Sequence, residues 1–195
     1  MIYIIRHGET DWNKQKIIQG STNDIPLNSD GLEQAKKLAS YFSNKKIELI
    51  ISSPLKRAAQ TSAEIANKNK VKVIYDKNFI EINYGNWSGK KSDKIPMLFP
   101  DEWKKFTEDP ESFAFKNGES IKSLYHRVVS GFKKLNPGIT TLIVTHTNPI
   151  RMIAAYVLNM SIFNAYKLHF ENCGISTFVY KHNRWEVDSL NCKAI

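Results

Sequence analysis

The sequence predicts a three-layer α/β/α sandwich with a mostly parallel central sheet. Three observations carry that expectation. Short apolar runs alternate with longer segments whose apolar residues recur at helical spacing. The 195 residues, 42% apolar and 24% charged, suit one domain over residues 1–195 that buries a substantial core. Neither an internal repeat nor a low-complexity tract interrupts the alternation.

The elements follow in order. Residues 2–6 form an Ile-rich run, read as a buried strand. Residues 7–28, with Gly8, Gly20 and Pro26, read as loop. Asn28 or Ser29 caps a helix over about 30–44, striped by Leu32, Ala35, Leu38, Ala39 and Phe42. A strand follows over 47–52, and Pro54 opens a helix to about 69. Residues 71–75 form a third strand. Residues 76–118 carry Gly85, Gly89, Pro96, Pro100, Pro110 and Gly118. They read as an excursion over the active site with one or two short helices. A helix over 119–135 is striped by Ile121, Leu124, Tyr125, Val128 and Phe132. Residues 140–145 form a fourth strand, and Pro149 opens a helix to about 159. Strands over 175–180 and 184–190 close the chain around a His182-Asn183 turn.

Charge and cysteine content narrow the function classes. Lys+Arg 28 against Asp+Glu 19 gives a net charge of +9. Paired lysines carry much of it, among them Lys36-Lys37, Lys90-Lys91 and Lys133-Lys134, spread along the whole chain. That predicts solubility and mild attraction for anions. It does not predict nucleic-acid binding, because no recognition module or aromatic-basic repeat accompanies it. Cys173 and Cys192 form no C-x-x-C pair and read as inert thiols of a reducing compartment. The apolar run Met1–Ile5 ends at Arg6-His7, too short for a signal-peptide core, and no run approaches the ~20 residues of a membrane span. The expected location is cytoplasmic, without membrane partners.

In open α/β sheets ligands bind at the carboxyl ends of the strands. Four strand ends here are polar. The first ends in Arg6-His7 and the second in Ser52-Ser53, with Arg57 one turn into the following helix. Glu81 follows the third, and His146 ends the fourth. Two histidines, two arginines and a carboxylate can therefore share one crevice. A histidine directly after a buried strand is held by backbone, and the adjacent glycine lets a ligand approach closely. Arg6 beside His7 disfavours a metal and favours an anion of phosphate geometry. Each residue also has a plainer reading. Arg57 alone is a surface ion-pair partner, Glu81 a solvated carboxylate, Asn13 a loop cap and His146 a packing residue. His126, His169 and His182 read as structural, and Trp12, Trp87 and Trp103 as packing.

The blocks taken together favour the functional reading. Arg6-His7-Gly8-Glu9-Thr10 with Asn13 comes first, then Ser53-Pro54-Leu55-Lys56-Arg57-Ala58. Glu81 precedes Tyr84-Gly85-Asn86-Trp87-Ser88-Gly89, and Gly118-Glu119-Ser120 and Val144-Thr145-His146 follow in order. This series resembles the histidine phosphatase superfamily, in its phosphoglycerate mutase-like branch. The resemblance implies His7 as phosphoryl-accepting nucleophile and Glu81 as general acid, then base on the hydrolytic water. It implies a phosphate pocket lined by Arg6, Asn13, Arg57 and His146, with Gln19 and Gly20 on a bordering loop. Cations then do the work of a metal, so neither metal nor cofactor is expected. His7 must be neutral at its attacking nitrogen, which needs an acceptor for the other nitrogen, such as a backbone carbonyl. A charged His146 would add a further donor to the phosphate.

After the second histidine, where the family commonly has two small residues, this chain has Thr147-Asn148-Pro149. Thr147 adds a hydroxyl to the pocket and Asn148 narrows it. The departure resembles metal-independent phosphoserine phosphatases; alpha-ribazole and broad-specificity phosphatases share most blocks. The implied ligand is a small phosphorylated metabolite, and a homodimer is expected by the same resemblance. Two alternatives stay open. A cofactor-dependent phosphoglycerate mutase shares the core but is usually longer. A non-catalytic phospho-ligand-binding module would ordinarily have lost part of the motif, which is complete here.

Overall fold

The alternation read from the sequence is present in a computed structural model, which describes residues 1–194. The chain runs β1 (Ile2–Arg6), α1 (Asp11–Lys14), α2 (Ser29–Phe42), β2 (Leu49–Ser52), α3 (Lys56–Asn69) and β3 (Val73–Tyr75). Three 3-10 turns precede α4 (Ile95–Leu98) and α5 (Pro100–Glu108). Then come α6 (Ile121–Lys133), β4 (Thr141–Thr145), α7 (Thr147–Leu158), α8 (Ile162–Ala165), β5 (Ile175–Lys181) and β6 (Arg184–Cys192).

The six strands form one sheet in the order β3-β2-β4-β1-β5-β6. The first four neighbours pair in parallel, and β5 and β6 add antiparallel strands at one edge. β1 and β4 lie at the centre and are buried on both faces, which explains their continuous apolar runs. The two-residue period sorts their side chains. Ile2, Ile4 and Ile143 join one core cluster with Leu124, Phe132 and Phe178. Ile5, Leu142 and Val144 join the opposite cluster with Leu38, Phe42 and Ile65. Each fully buried branched side chain contributes about 2 kcal/mol of burial free energy.

Several boundaries differ from the sequence reading. The helix expected at Pro54 begins at Lys56, with Leu55 in extended conformation at its N-cap. Asn28 caps α2 through its side chain, and Leu32 of the expected stripe is exposed while Gly31 is buried. α7 begins at Thr147, so Pro149 stands third in the helix, where its missing N–H costs nothing. α1 was not expected. Its single turn is held by a capping box between Thr10 and Asn13. The 76–118 excursion holds the two short helices α4 and α5. Trp87 packs among Phe99, Trp103, Phe106, Phe113 and Phe115 beneath them. Among the described residues no helix is long and apolar enough to cross a membrane.

Candidate active site

The sheet order puts β1 beside β4 and β4 beside β2, so their carboxyl ends deliver His7, His146 and Ser53 to one crevice. The His7 amide donates to the Thr145 carbonyl (3.0 Å), and the Ser53 amide to that of Val144 (2.9 Å). The His7 and His146 ring centroids are 5.1 Å apart. His7, Arg57, Glu81 and His146 are all buried.

The hydrogen bonds of His7 define its tautomer. Nδ1 lies 2.7 Å from the Gly8 carbonyl oxygen, an acceptor only, so Nδ1 carries the proton. Arg57 Nε donates to Nε2 at 3.2 Å, so Nε2 holds the lone pair. Burial, then Arg57, then Arg6 hold His7 well below the usual histidine pKa. The imidazole is neutral with its free pair aimed at a guanidinium, the state a nucleophile requires.

Arg57 is fixed in three directions. Besides Nε on His7, Nη2 donates to the Gly20 carbonyl (2.8 Å) and Nη1 to that of Asn23 (3.2 Å). Gly20 adopts φ +63° there, and a Cβ would crowd the Ile82 carbonyl oxygen. Burial pushes the Arg57 guanidinium down to about 10, opposed by Glu81 and Asp24, so it stays charged at neutral pH. Arg6 is anchored by Nη1 on the Phe170 carbonyl (2.7 Å), while its buried Nε has no partner among the described residues. A buried guanidinium N–H without an acceptor is a donor ready for an anion.

His146 shares this environment. Burial, Arg57, His7 and Arg6 lower its pKa well below the usual value, so it is held neutral rather than charged. Its Nε2 lies 2.8 Å from Ser53 Oγ, and its buried Nδ1 is unpaired among the described residues. A phosphoryl dianion is the counter-charge that would reverse this direction.

The contacts of the remaining expected residues differ. Asn13 closes the capping box: its Oδ1 accepts from Thr10 N (3.1 Å) and Thr10 Oγ1 (3.0 Å). Its Nδ2 makes no hydrogen bond to a described residue. Gln19 is buried, and its Oε1 is unpaired among the described residues. Thr147 is half-buried at the first position of α7, and its hydroxyl makes no hydrogen bond to a described residue.

Glu81 is held from behind. Arg127 donates to the carbonyls of Asn78 and Ile80 (both 2.8 Å) and of Glu81 (3.3 Å), while it pairs with Glu119 at 2.7 Å. Glu81 Oε1 accepts from Asn148 Nδ2 at 3.0 Å. Arg127, Asn148, Thr61 and Asn172 were not singled out from the sequence as site-positioning residues. Thr61 Oγ1 accepts the Gly8 amide (3.0 Å), and Asn172 Nδ2 donates to the His7 carbonyl (2.9 Å). Two sequence signals touched them: the Gly118-Glu119-Ser120 block, through the Arg127 partner Glu119, and the Thr147-Asn148-Pro149 departure, which contains Asn148.

An aromatic cavity of about 710 Å³ has Tyr84 in its lining, and the Tyr84 hydroxyl shares Asn148 Nδ2 with Glu81. Tyr84, Trp87, Trp103 and Tyr166 are in its walls, with Arg151, Lys167 and His169 as its basic groups. His169 and the two tryptophans, read from sequence as structural, therefore face a ligand-sized space. Among the described residues no group of three metal-ligating side chains is gathered.

A mostly parallel sheet, a neutral histidine at its crevice, a buried Arg57 against it and an Arg6 whose buried Nε has no partner among the described residues suit a protein that handles a phosphoryl group. Residues 2–193 match the family model of the histidine phosphatase superfamily (branch 1), and the chain belongs to that family. It is 32% identical over 194 residues to phosphoserine phosphatase 1 of Hydrogenobacter thermophilus, covering 97% of this chain and 91% of that protein. An uncharacterised phosphatase of Bacillus subtilis, PhoE, is 28% identical, covering 97% and 93%. The phosphoserine phosphatase of Entamoeba histolytica, solved with 3-phosphoglyceric acid, superposes with a TM-score of 0.88 at 30% identity, covering 98% and 96%. The chain is a phosphomonoester hydrolase of the histidine phosphatase type.

Proposed function

We propose that this protein hydrolyses a small phosphorylated metabolite through phospho-His7, with phosphoserine the first candidate. The observation that carries the reading is the single tautomer imposed on His7, proton on Nδ1 and lone pair on Nε2 beside Arg57. In this reading Nε2 attacks phosphorus as the ester P–O bond breaks. Arg6, Arg57, His146 and Asn13 receive the equatorial oxygens, whose charge is the main catalytic demand. Gln19, Gly20 and Thr147 border them. Glu81 gives its proton to the leaving oxygen. Water then attacks phosphorus, its proton passes to Glu81, and the P–N electron pair returns to Nε2.

The leaving group lies in the aromatic cavity. For phosphoserine, Arg151 and Lys167 suit the carboxylate, and the faces of Tyr84, Trp87 and Tyr166 suit the ammonium. The related phosphoserine phosphatases support this choice. The protein acts in the cytoplasm and forms a homodimer; sedimentation velocity tests the latter, with a monomer at all concentrations as the contrary result.

The decisive experiment is phosphate release in EDTA from L-phosphoserine, alpha-ribazole phosphate, 3-phosphoglycerate and sugar phosphates. A preference for one ester, lost in His7→Ala, is expected. Interconversion of phosphoglycerates stimulated by 2,3-bisphosphoglycerate would instead mark a mutase. Binding without turnover by the folded protein would mark a phospho-ligand module.

A further inference from the structure

Asn148 is fully buried at the second position of α7, between Glu81 and the wall of the aromatic cavity. Its Nδ2 donates to Glu81 Oε1 (3.0 Å) and to the Tyr84 hydroxyl (2.7 Å). Its Oδ1 accepts from Arg151 Nη1 at 3.2 Å. Arg151 is itself fixed, with Nε and Nη2 both on the Leu168 carbonyl and the guanidinium over the Tyr166 ring. The amide therefore has one tolerable orientation. Turned over, its oxygen would face the Glu81 carboxyl oxygen and its NH₂ would face a guanidinium.

Glu81 Oε1 accepts a second bond, from the Ile82 amide at 2.9 Å. Both lone pairs of Oε1 are thus committed to N–H donors, while Oε2 accepts no hydrogen bond from a described residue. An oxygen with two N–H donors against it is the poorer place for a proton.

We propose that Asn148 is a positioning residue that reserves Oε2 of Glu81 as the oxygen that carries and delivers the proton. The inference rests on the reading of Glu81 as general acid. In the first step the Oε2–H bond breaks and an O–H bond forms on the leaving oxygen, which keeps the electron pair of the broken P–O bond. In the second step Oε2 takes a proton from the attacking water, restoring the acid. The contact of Asn148 with Tyr84 and Arg151 ties the acid's orientation to the cavity that holds the leaving group.

The test compares an alkyl ester, L-phosphoserine, with 2,4-dinitrophenyl phosphate, whose leaving group needs no proton. Asn148→Ala, Asn148→Asp and Glu81→Gln are measured alone, and Asn148→Ala also in combination with Glu81→Gln. Asn148→Asp keeps the side-chain volume, so a folding defect of the alanine variant does not decide the matter. Both Asn148 variants are expected to lose at least about tenfold more kcat/KM on the alkyl ester than on the activated one, a comparison that reports P–O cleavage and leaves out the hydrolysis of phospho-His7 that both esters share. The double variant is expected to be no slower than Glu81→Gln alone, within about twofold. Equal losses on the two esters, or losses that multiply in the double variant, would overturn the role of Asn148. Release that survives His7→Ala, or equal losses on both esters in Glu81→Gln, would overturn the parent reading as well.

Discussion

Arg57 Nε donates to His7 Nε2 across 3.2 Å, so the cation proposed to receive phosphate also adds to the burial that keeps His7 unprotonated. The guanidinium can do both because its other nitrogens are tied to the carbonyls of Gly20 and Asn23. A lysine ammonium has its three donors on one nitrogen and cannot span three acceptors arranged around a planar fork. Arg57→Lys should therefore lower kcat by about 100-fold despite keeping the charge. Steady-state kinetics on the best substrate would check this, and a loss under threefold would count against the fork geometry.

The neutral histidines predict how stability depends on pH. His7 and His146 are both held well below the usual histidine value near 6.5. Above that value both are neutral in folded and unfolded chains alike, so their contribution is complete. As pH falls below it, the unfolded chain takes up protons that the folded chain refuses, and stability is lost. The slope approaches about 1.4 kcal/mol per pH unit for each histidine. Urea midpoints at pH 7.5, 6.5 and 5.5 should fall accordingly. His146→Gln should remove roughly half of the histidine slope; an unchanged slope in that variant would contradict the assignment.

Arg127 predicts a coupled loss. Its guanidinium holds the carbonyls of Asn78, Ile80 and Glu81 together while pairing with Glu119. Arg127→Met strands a largely buried carboxylate and frees three carbonyls. The expected cost is about 3 kcal/mol of stability. Because the freed segment carries Glu81, turnover of an alkyl phosphate should fall more than that of an activated aryl phosphate. Equal kinetics with lowered stability would mean that the clamp serves the fold alone.

Two glycines of one motif should respond differently. Gly85 has φ +51°, and a Cβ there would overlap the Lys116 carbonyl oxygen. Gly89 has φ +79°, with the Trp12 ring 3.8 Å away as the nearest group. Gly85→Ala should cost about 3 kcal/mol or prevent folding, and Gly89→Ala about 1 kcal/mol, from backbone strain alone. Similar midpoints in chemical denaturation would refute the distinction.

Much of this architecture is readable from local pattern. The Ile-rich run of β1 and the spacing of Ala35, Leu38, Ala39 and Phe42 report burial directly, because period and face are local properties. Pro54 misled by two residues because proline tolerates extended backbone as readily as a first helical turn, and Leu55 is extended. His7 and His146 were legible because strand ends deliver them, and Arg57 and Glu81 because they stand in motif blocks of fixed order. Asn172 was not: it meets the His7 carbonyl from 165 residues away, and only the pairing of β1 with β5 brings them together. Asn148 was legible as a departure from pattern but not as a partner of Glu81, since no spacing encodes a contact between a loop and a helix start. The neutral resting form of His146 was not legible, because burial, the largest influence on it, is a property of the assembled core.

The backbone of His7 is gripped from two parts of the chain: its amide by Thr145, and its carbonyl by the Cys173 amide and the neighbouring Asn172 side chain. Fraying of one grip alone does not release it, because one belongs to the end of β4 and the other to the approach to β5. Amide exchange at His7 should therefore proceed only at the rate of whole-molecule opening, together with the centre of β4. Heat or denaturant would then find no partly melted catalyst. The last active molecule and the last folded molecule should disappear in the same transition.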